Sequence, residues 1–297
     1  MKRKNKISKS RGSRMFDTLN VCLQILIALI CFYPFWYIAV CSISEGMLVQ
    51  AGKVFLYPIN FNLKAYAMLF KYENIALAYY NTLWYVIIGT TINLVMTFMG
   101  AYVVSRHHFA LRKVLMVFIT FTMFFSGGMI PTFLWIKQLR LLNTRWSIVL
   151  PGAINVYNMI VIRTFIQSEI PDSLTESAYI DGANDFVIMW QIVLPLCKAV
   201  MAVMVLFYGV GHWNSYFSAM IYLNDKMLHP IQLLLRTLVI QNSVNALMGD
   251  TAAEDKAVVG LSIQYAAIVI ATLPILCIYP FLQKYFTKGV MIGAIKG

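Results

Sequence analysis

Charge is what this sequence is short of. Only 12% of its 297 residues are Asp, Glu, Lys or Arg, about half the roughly 25% usual in a soluble domain. Six windows contain none of the four: 18–44, 74–105, 114–136, 146–162, 199–224 and 257–283. Uncharged stretches of that length have no place in a water-soluble core. Further absences narrow the function. There is no Gly-x-x-x-x-Gly-Lys phosphate loop, so no ATP site of the chain's own is expected. The five cysteines, Cys22, Cys31, Cys41, Cys197 and Cys277, show no paired ligand spacing and read as small packing residues. His107 and His108 are adjacent and cannot share a helix face as metal ligands would, so they read as a solvated loop. No catalytic constellation and no metal site are expected.

What is present is apolar length. A bilayer core about 30 Å thick takes roughly 20 apolar residues as helix. Five windows reach that length, and the fourth is closed by Arg163, whose stem can snorkel to the headgroups. The expectation is an all-α polytopic membrane protein with six transmembrane helices. The first apolar run is too long for a signal-peptide core, and no small-residue cleavage pattern follows it cleanly. Seven of the 24 basic residues fall in the first 14, directly before that run. This is the positive-inside pattern. No aromatics interleave the cluster, which argues against nucleic acid. With the N-terminus inside, inner segments hold fifteen basic residues and outer ones nine, giving an N-in, C-in expectation.

Two outer segments, 45–73 and 225–256, mix Pro, Asn, aromatic and aliphatic residues and read as folded caps. In the second, residues 229–236 read as a short amphipathic helix opened by Pro230. Its apolar face would serve either as a docking surface or as packing against the chain's own helices. The loop between the fourth and fifth windows runs from Arg163 to Lys198 and holds five of the twelve acidic residues. Pro171 disfavours helix at Ile170, so a helix should start near 172–173. Ser173 with Glu176 has the spacing of a capping box. Gly182 reads as a C-terminal cap, and Leu194-Pro195 as a second break. Leu174, Ala178 and Ile180 are available as apolar contacts.

The same stretch resembles the signature loop of binding-protein-dependent ABC importer permeases: Glu-Ala-Ala, three residues, Gly, nine residues, Ile-x-Leu-Pro. Glu176, Ala178, Gly182, Ile192, Leu194 and Pro195 fall in register. At roughly 7% usage per position such a match arises by chance about once in 10⁴ chains or fewer. Ser177 stands where the second Ala is usual, and Ala199 where many sugar permeases carry a further Pro. Residues 125–132 and the C-terminal 288–297 resemble the carbohydrate branch, and more narrowly permeases paired with polysaccharide or oligosaccharide lipoprotein receptors.

The resemblance implies a type I ABC importer permease fold in a bacterial cell membrane. It implies a basic tail over 1–16, a membrane domain over 17–285 with its coupling loop at 168–198, and a tail over 286–297 that reaches the ATPase dimer. It implies ATP-driven import of a sugar delivered by an extracellular solute-binding lipoprotein. The partners are a homologous second permease and two ATPase subunits, which carry the ATP and Mg; this chain binds no cofactor. Leu174, Glu176, Ser177, Ala178, Asp181, Gly182, Ala183, Leu194 and Pro195 would couple to the ATPase. Glu176 would either cap its helix or pair with a basic residue of that partner. A non-sugar solute is the alternative within the family. A gradient-driven transporter would want intramembrane charge and an internal repeat, and neither is evident.

A sugar pathway should show hydrogen-bonding groups and aromatic faces at membrane depth. The fifth window offers Tyr208, His212, Trp213, Asn214 and Tyr216. The fourth offers Asn155, Tyr157 and Asn158, and the third Ser126, Gly127 and Gly128, with Pro131 as a break. The competing reading for all of them is ordinary helix–helix hydrogen bonding.

Overall fold

The computed structural model describes residues 11–71, 74–247, 261–278 and 280. The basic tail before Arg11, the end of the second outer segment and the C-terminal tail lie outside the described residues. The principal helices are α1 (Arg11–Ser42), α2 (Ile75–Ser105), α3 (Arg112–Phe124), α4 (Met129–Gln138), α5 (Val156–Glu169) and α6 (Asp172–Ile180). They continue as α7 (Asp185–Leu196), α8 (Lys198–Trp213), α9 (Tyr216–Tyr222), α10 (Ile231–Leu247) and α11 (Leu261–Ile278). No strand occurs among the described residues. In hydrocarbon every backbone N–H and C=O must find a partner within the chain, and helices satisfy that requirement segment by segment.

Three helices, Gly12–Ser42, Ile75–Ser105 and Leu261–Ile278, are each long and apolar enough to cross a bilayer unbroken. The second matches the uncharged window 74–105 almost residue for residue. The other windows are broken, each for a local reason. Window 114–136 is not one rod. α3 ends at Phe124, and the chain bends by 114° before α4, with Gly128 at φ +83°, a conformation that costs glycine nothing. Window 146–162 breaks at Pro151-Gly152 and restarts at Asn155, whose side chain caps α5 by accepting from Asn158 N at 3.0 Å. α5 then runs past Arg163 to Glu169. Arg163 Nε instead donates to Val104 O at 3.2 Å. α7 and α8 meet at 83° across Cys197. Pro195 supplies no backbone N–H to the preceding turn, and that turn is already widened into a π segment over Ile188–Val193. A second π segment, Tyr85–Gly89, lies inside α2.

The chain divides into two compact units, Met1–Lys71 with Leu238–Ile270, and Tyr72–Thr237 with Ala271–Gly297. In the first, the segment after α1 is folded. Ser44 Oγ donates to Val40 O at 2.7 Å and accepts from Ile59 N at 3.3 Å. Asn60 Nδ2 donates to Glu45 Oε2 at 2.6 Å, and Trp36 Nε1 to Leu56 O at 2.8 Å. Val40, Cys41, Val49 and Val54 form the core there. Most of α1 before residue 37 is exposed.

In the second unit the main core joins α2, α5, α7 and α8 through Phe98, Ile162, Ile188, Val193 and Met204, all fully buried. The amphipathic stretch opened by Pro230 is the start of α10. Its apolar residues Ile231, Leu233 and Leu235 are buried in the chain's own packing, so the docking alternative for that face falls away.

The loop before α10 is tied to α2. Asn81 Nδ2 donates to Met227 O at 2.7 Å and His229 O at 3.3 Å, Tyr85 OH to Leu228 O at 2.9 Å, and Ile231 N to Thr82 Oγ1 at 2.8 Å. His229 sits under this strap. Its Nε2 is buried and has no hydrogen-bond partner among the described residues. Burial pushes its pKa below the ordinary histidine value. The folded state therefore prefers neutral His229, and its contribution is intact above the unfolded pKa of about 6.5. As pH falls through that value the unfolded chain takes up the proton first, and stability is lost until the lowered folded pKa is passed. Thermal unfolding of His229→Leu should accordingly fall less steeply than that of the parent below about pH 6.5. Parallel acid limbs would remove His229 as the cause.

Candidate functional site

Two sites emerge in the second unit. The first is a cavity of about 900 Å³ walled by the end of α8, the start of α5, the middle of α2 and α9. Its lining includes Asn93, Asn155, Tyr157, Asn158, Tyr208, His212, Asn214, Ser215 and Ser218, with Phe207, Leu206, Phe217 and Ile148 as apolar wall. Among the described residues, no Asp, Glu, Lys or Arg lines it.

Its inner polar groups are held by the chain itself. Asn93, 1% exposed, donates from Nδ2 to Gly152 O at 2.6 Å. Gly152 O can only accept, which fixes the amide orientation and leaves Oδ1 facing His212 Nε2 at 2.5 Å. Oδ1 also can only accept, so Nε2 carries the proton. Gly89 makes room for the imidazole: a Cβ there would lie 2.5 Å from Nε2. Deeper, Thr97 Oγ1 and Tyr208 OH share a 2.7 Å hydrogen bond, and Tyr208 OH accepts from Asn155 N at 3.3 Å. Asn214 and Tyr157 are exposed on the wall.

Six of the expected pathway residues, Asn155, Tyr157, Asn158, Tyr208, His212 and Asn214, thus share one wall, although they come from two windows. The others do not join them. Ser126 and Gly127 are exposed at the α3–α4 bend, where Ser126 Oγ accepts from Gly128 N at 3.3 Å. Trp213 is buried on the far side of its helix, with Nε1 donating to Ala271 O at 3.0 Å. Tyr216 lies under the Arg236 guanidinium, 4.9 Å from ring centroid to Cζ. Asn93 was missed by sequence reasoning, as were Gly89 and Gly152. An asparagine in the middle of an uncharged span was the available signal, since a lone amide there needs a partner.

The second site is the loop between α5 and α8. α6 begins directly after Pro171, which stands in the N-cap position without a side-chain cap. The capping box does not form: Ser173 lies inside the helix, and its carbonyl accepts from Ser177 Oγ at 2.9 Å. Glu176 is left exposed on a pocket of about 480 Å³ with His107, His108, Asp172, Thr175 and Tyr179. His107 is not merely solvated. Its Nδ1 lies 3.1 Å from Arg112 Nη1 and its Nε2 3.8 Å from Asp172.

Gly182, at φ +82°, closes α6. Gly182 N donates to Tyr179 O at 3.0 Å and Ala183 N to Ala178 O at 2.9 Å. This pair of bonds is the Schellman termination, which calls for a left-handed residue at this position. Asn184 then caps α7 through Val187 N at 2.9 Å. Asp185 Oδ1 accepts from both Tyr179 OH and Tyr102 OH, tying the turn to α2. That bond, with burial behind it, raises the Tyr179 phenol above its usual pKa. Thr175 and Ala178 face inward, and Ala178 packs in the main core. The outward face carries Leu174, Ser177 and Asp181, together with Ile180 at 86% and Phe186 at 64% exposure. Leu194 and Pro195 lie further on, in the last turn of α7. Exposed apolar side chains interspersed with acids are the composition of a protein-docking surface.

Residues 94–292 match the family model described as the binding-protein-dependent transport system inner membrane component. Over 287 residues the chain is 42% identical to the polygalacturonan/rhamnogalacturonan transport system permease protein YtcP of Bacillus subtilis strain 168, covering 96% of this chain and 99% of that one. It is 40% identical over 288 residues to protein LplC of the same organism, covering 97% of each. Among solved structures it is similar to a chain of a bacterial ABC transporter involved in the import of the acidic polysaccharide alginate. The TM-score is 0.85 at 33% identity, over 95% of this chain and all of that one.

Proposed function

The chain belongs to the family of binding-protein-dependent transport inner-membrane components, a multi-pass permease subunit of an ABC importer, and we propose that it conducts a saccharide fragment along the α2–α5–α8 cavity. The observation that carries the choice of solute is the cavity wall. It offers amides, hydroxyls and aromatic faces, which suit the hydroxyl and C–H surfaces of sugars, and among the described residues no carboxylate that would repel an acidic saccharide. The names of the relatives, a polygalacturonan/rhamnogalacturonan permease and an alginate importer, support the same substrate class.

In this reading six spans cross the membrane with both termini inside. The two bent pairs serve as spans alongside the three straight helices and α5. A solute-binding protein delivers the sugar from outside. A homologous second permease closes the other half of the pathway. Two partner ATPase subunits bind and hydrolyse ATP. The outward face of α6 and the start of α7, with Leu174, Ile180 and Phe186, seats in an ATPase cleft. Gly182 sets the turn between them, and α8 carries the movement to the cavity.

Reconstituted with its partner subunits and receptor, the complex should import labelled oligogalacturonides, alginate fragments or maltodextrins only when ATP is inside with the ATPases. Asn214→Ala should raise half-saturation by about three- to tenfold with little change in maximal rate, as expected for the loss of one hydrogen bond to substrate. Uptake driven by an ion gradient without ATP would overturn the transport reading. An unchanged half-saturation would remove Asn214 from the pathway.

A further inference from the structure

Resting on the importer reading above, we infer that Asn93 is a positioning residue whose amide locks the α8 rod to α2 and to the Gly152 break, so that the cavity turns with the docking loop instead of being read by Asn93 itself. The inference starts from how the amide is held and buried. Its Nδ2 is held by Gly152 O and its Oδ1 by His212 Nε2, and the side chain is almost fully buried. At 1% exposure its second N–H and its remaining lone pair are closed off from a sugar hydroxyl. Each bond crosses to a different element: Gly152 stands just before α5, and His212 is one residue from the end of α8.

The lock sits at the far end of α8 from the docking loop. α8 is 16 residues, about 24 Å of helix. One end abuts Cys197 and the 83° junction with α7, and the other carries His212. Displacement of α7 reaches the cavity only as far as α8 holds its neighbours there. Two further features hold the imidazole in place. Gly89 presents bare backbone to it, and the Thr97–Tyr208 bond repeats the α2–α8 link one turn deeper. Bonds in such a dry setting, once one partner is removed, leave a buried group unsatisfied, so the lock opens as a unit.

The test is ATP hydrolysed per sugar imported by the intact reconstituted complex, with labelled oligogalacturonide and maltodextrin pools as probes. Asn93→Ala should keep receptor-stimulated ATP hydrolysis within about twofold while import per ATP falls about tenfold or more, with half-saturation unchanged, and His212→Ala should lower import per ATP as well. His212→Gln, which can still donate to Asn93 Oδ1, should recover most of the import. Gly89→Ala, which keeps both polar partners and displaces only the ring, should uncouple as Asn93→Ala does, and it decides alone should Asn93→Ala not assemble. A rise in half-saturation at constant import per ATP would make Asn93 a sugar contact and overturn the inference. So would a parallel fall of hydrolysis and import, or no effect at all. An unmodified complex that shows no ATP-driven uptake of any saccharide overturns the importer reading beneath it, a result distinct from each of these.

Discussion

Gly182→Asp is expected to abolish ATP-driven uptake while the chain still inserts in the membrane. The residue closes α6 at φ +82°, where a β-carbon costs about 1–2 kcal/mol. A Cβ built there meets nothing within 4 Å, so the substitution has no core to disrupt. Its effect falls on the direction of the chain between α6 and α7, and on the surface that the ATPase must cover, where a third carboxylate would join Asp181 and Asp185. Gly182→Asn separates the two contributions. Asparagine tolerates the left-handed conformation and adds no charge, so it should retain uptake within about threefold. The measurement is uptake in vesicles alongside ATPase co-purification. Full uptake by Gly182→Asp would remove the loop from the coupling path.

Arg145→Leu should give the largest loss of stability. Arg145 Nη2 donates to Asn81 Oδ1 at 2.8 Å, and its guanidinium lies 5.5 Å from the Tyr80 ring and 5.3 Å from Trp84. Asn81 in turn holds the strap through Met227 O and His229 O, so one side chain braces α2, the segment before the Pro151-Gly152 break and the loop before α10. Removing it strips a charge-assisted hydrogen bond and two cation–aromatic contacts, together worth about 3 kcal/mol. Arg145→Lys keeps the charge and loses the planar fork and the stacking, so it should recover less than half of that. Thermal unfolding of the detergent-solubilised complex reads both. A melting temperature for Arg145→Leu within about 1 °C of the parent would show that the brace carries no load.

Much of the architecture was legible because the bilayer imposes it. An uncharged window long enough to span must be helical, and α2 runs from Ile75 to Ser105 as the charges at Glu73 and Arg106 require. The turn at Gly182 was legible for a different reason: a glycine after a helix with apolar residues on both sides has few other uses. Where the third and fourth windows break was hidden, and Pro131, the expected break in the third, lies inside α4. Gly127-Gly128 and Pro151-Gly152 interrupt spans whose hydropathy does not change, so composition could not register a bend of 114°. The capping box failed because Pro171 had already fixed the start of α6 two residues before Ser173 could cap it. The cavity was half visible. Asn155, Asn158 and the residues around His212 stood out as polar groups in apolar sequence, but periodicity could not tell that Trp213 turns away while Asn93, more than a hundred residues earlier, turns in.

The π segment at Tyr85–Gly89 makes that last meeting a matter of helical phase. A π turn holds one residue more than an α turn, and each residue advances the helix by about 100°. Deleting a single residue from 86–88, which keeps Tyr85 and Gly89, would let the backbone relax to a regular α-helix and carry Asn93 and Thr97 around as if nothing had been lost, whereas the same deletion one turn later, at Thr91, would swing both out of reach of His212 and Tyr208. A scan of one-residue deletions along α2 should therefore find its tolerant sites clustered in that segment.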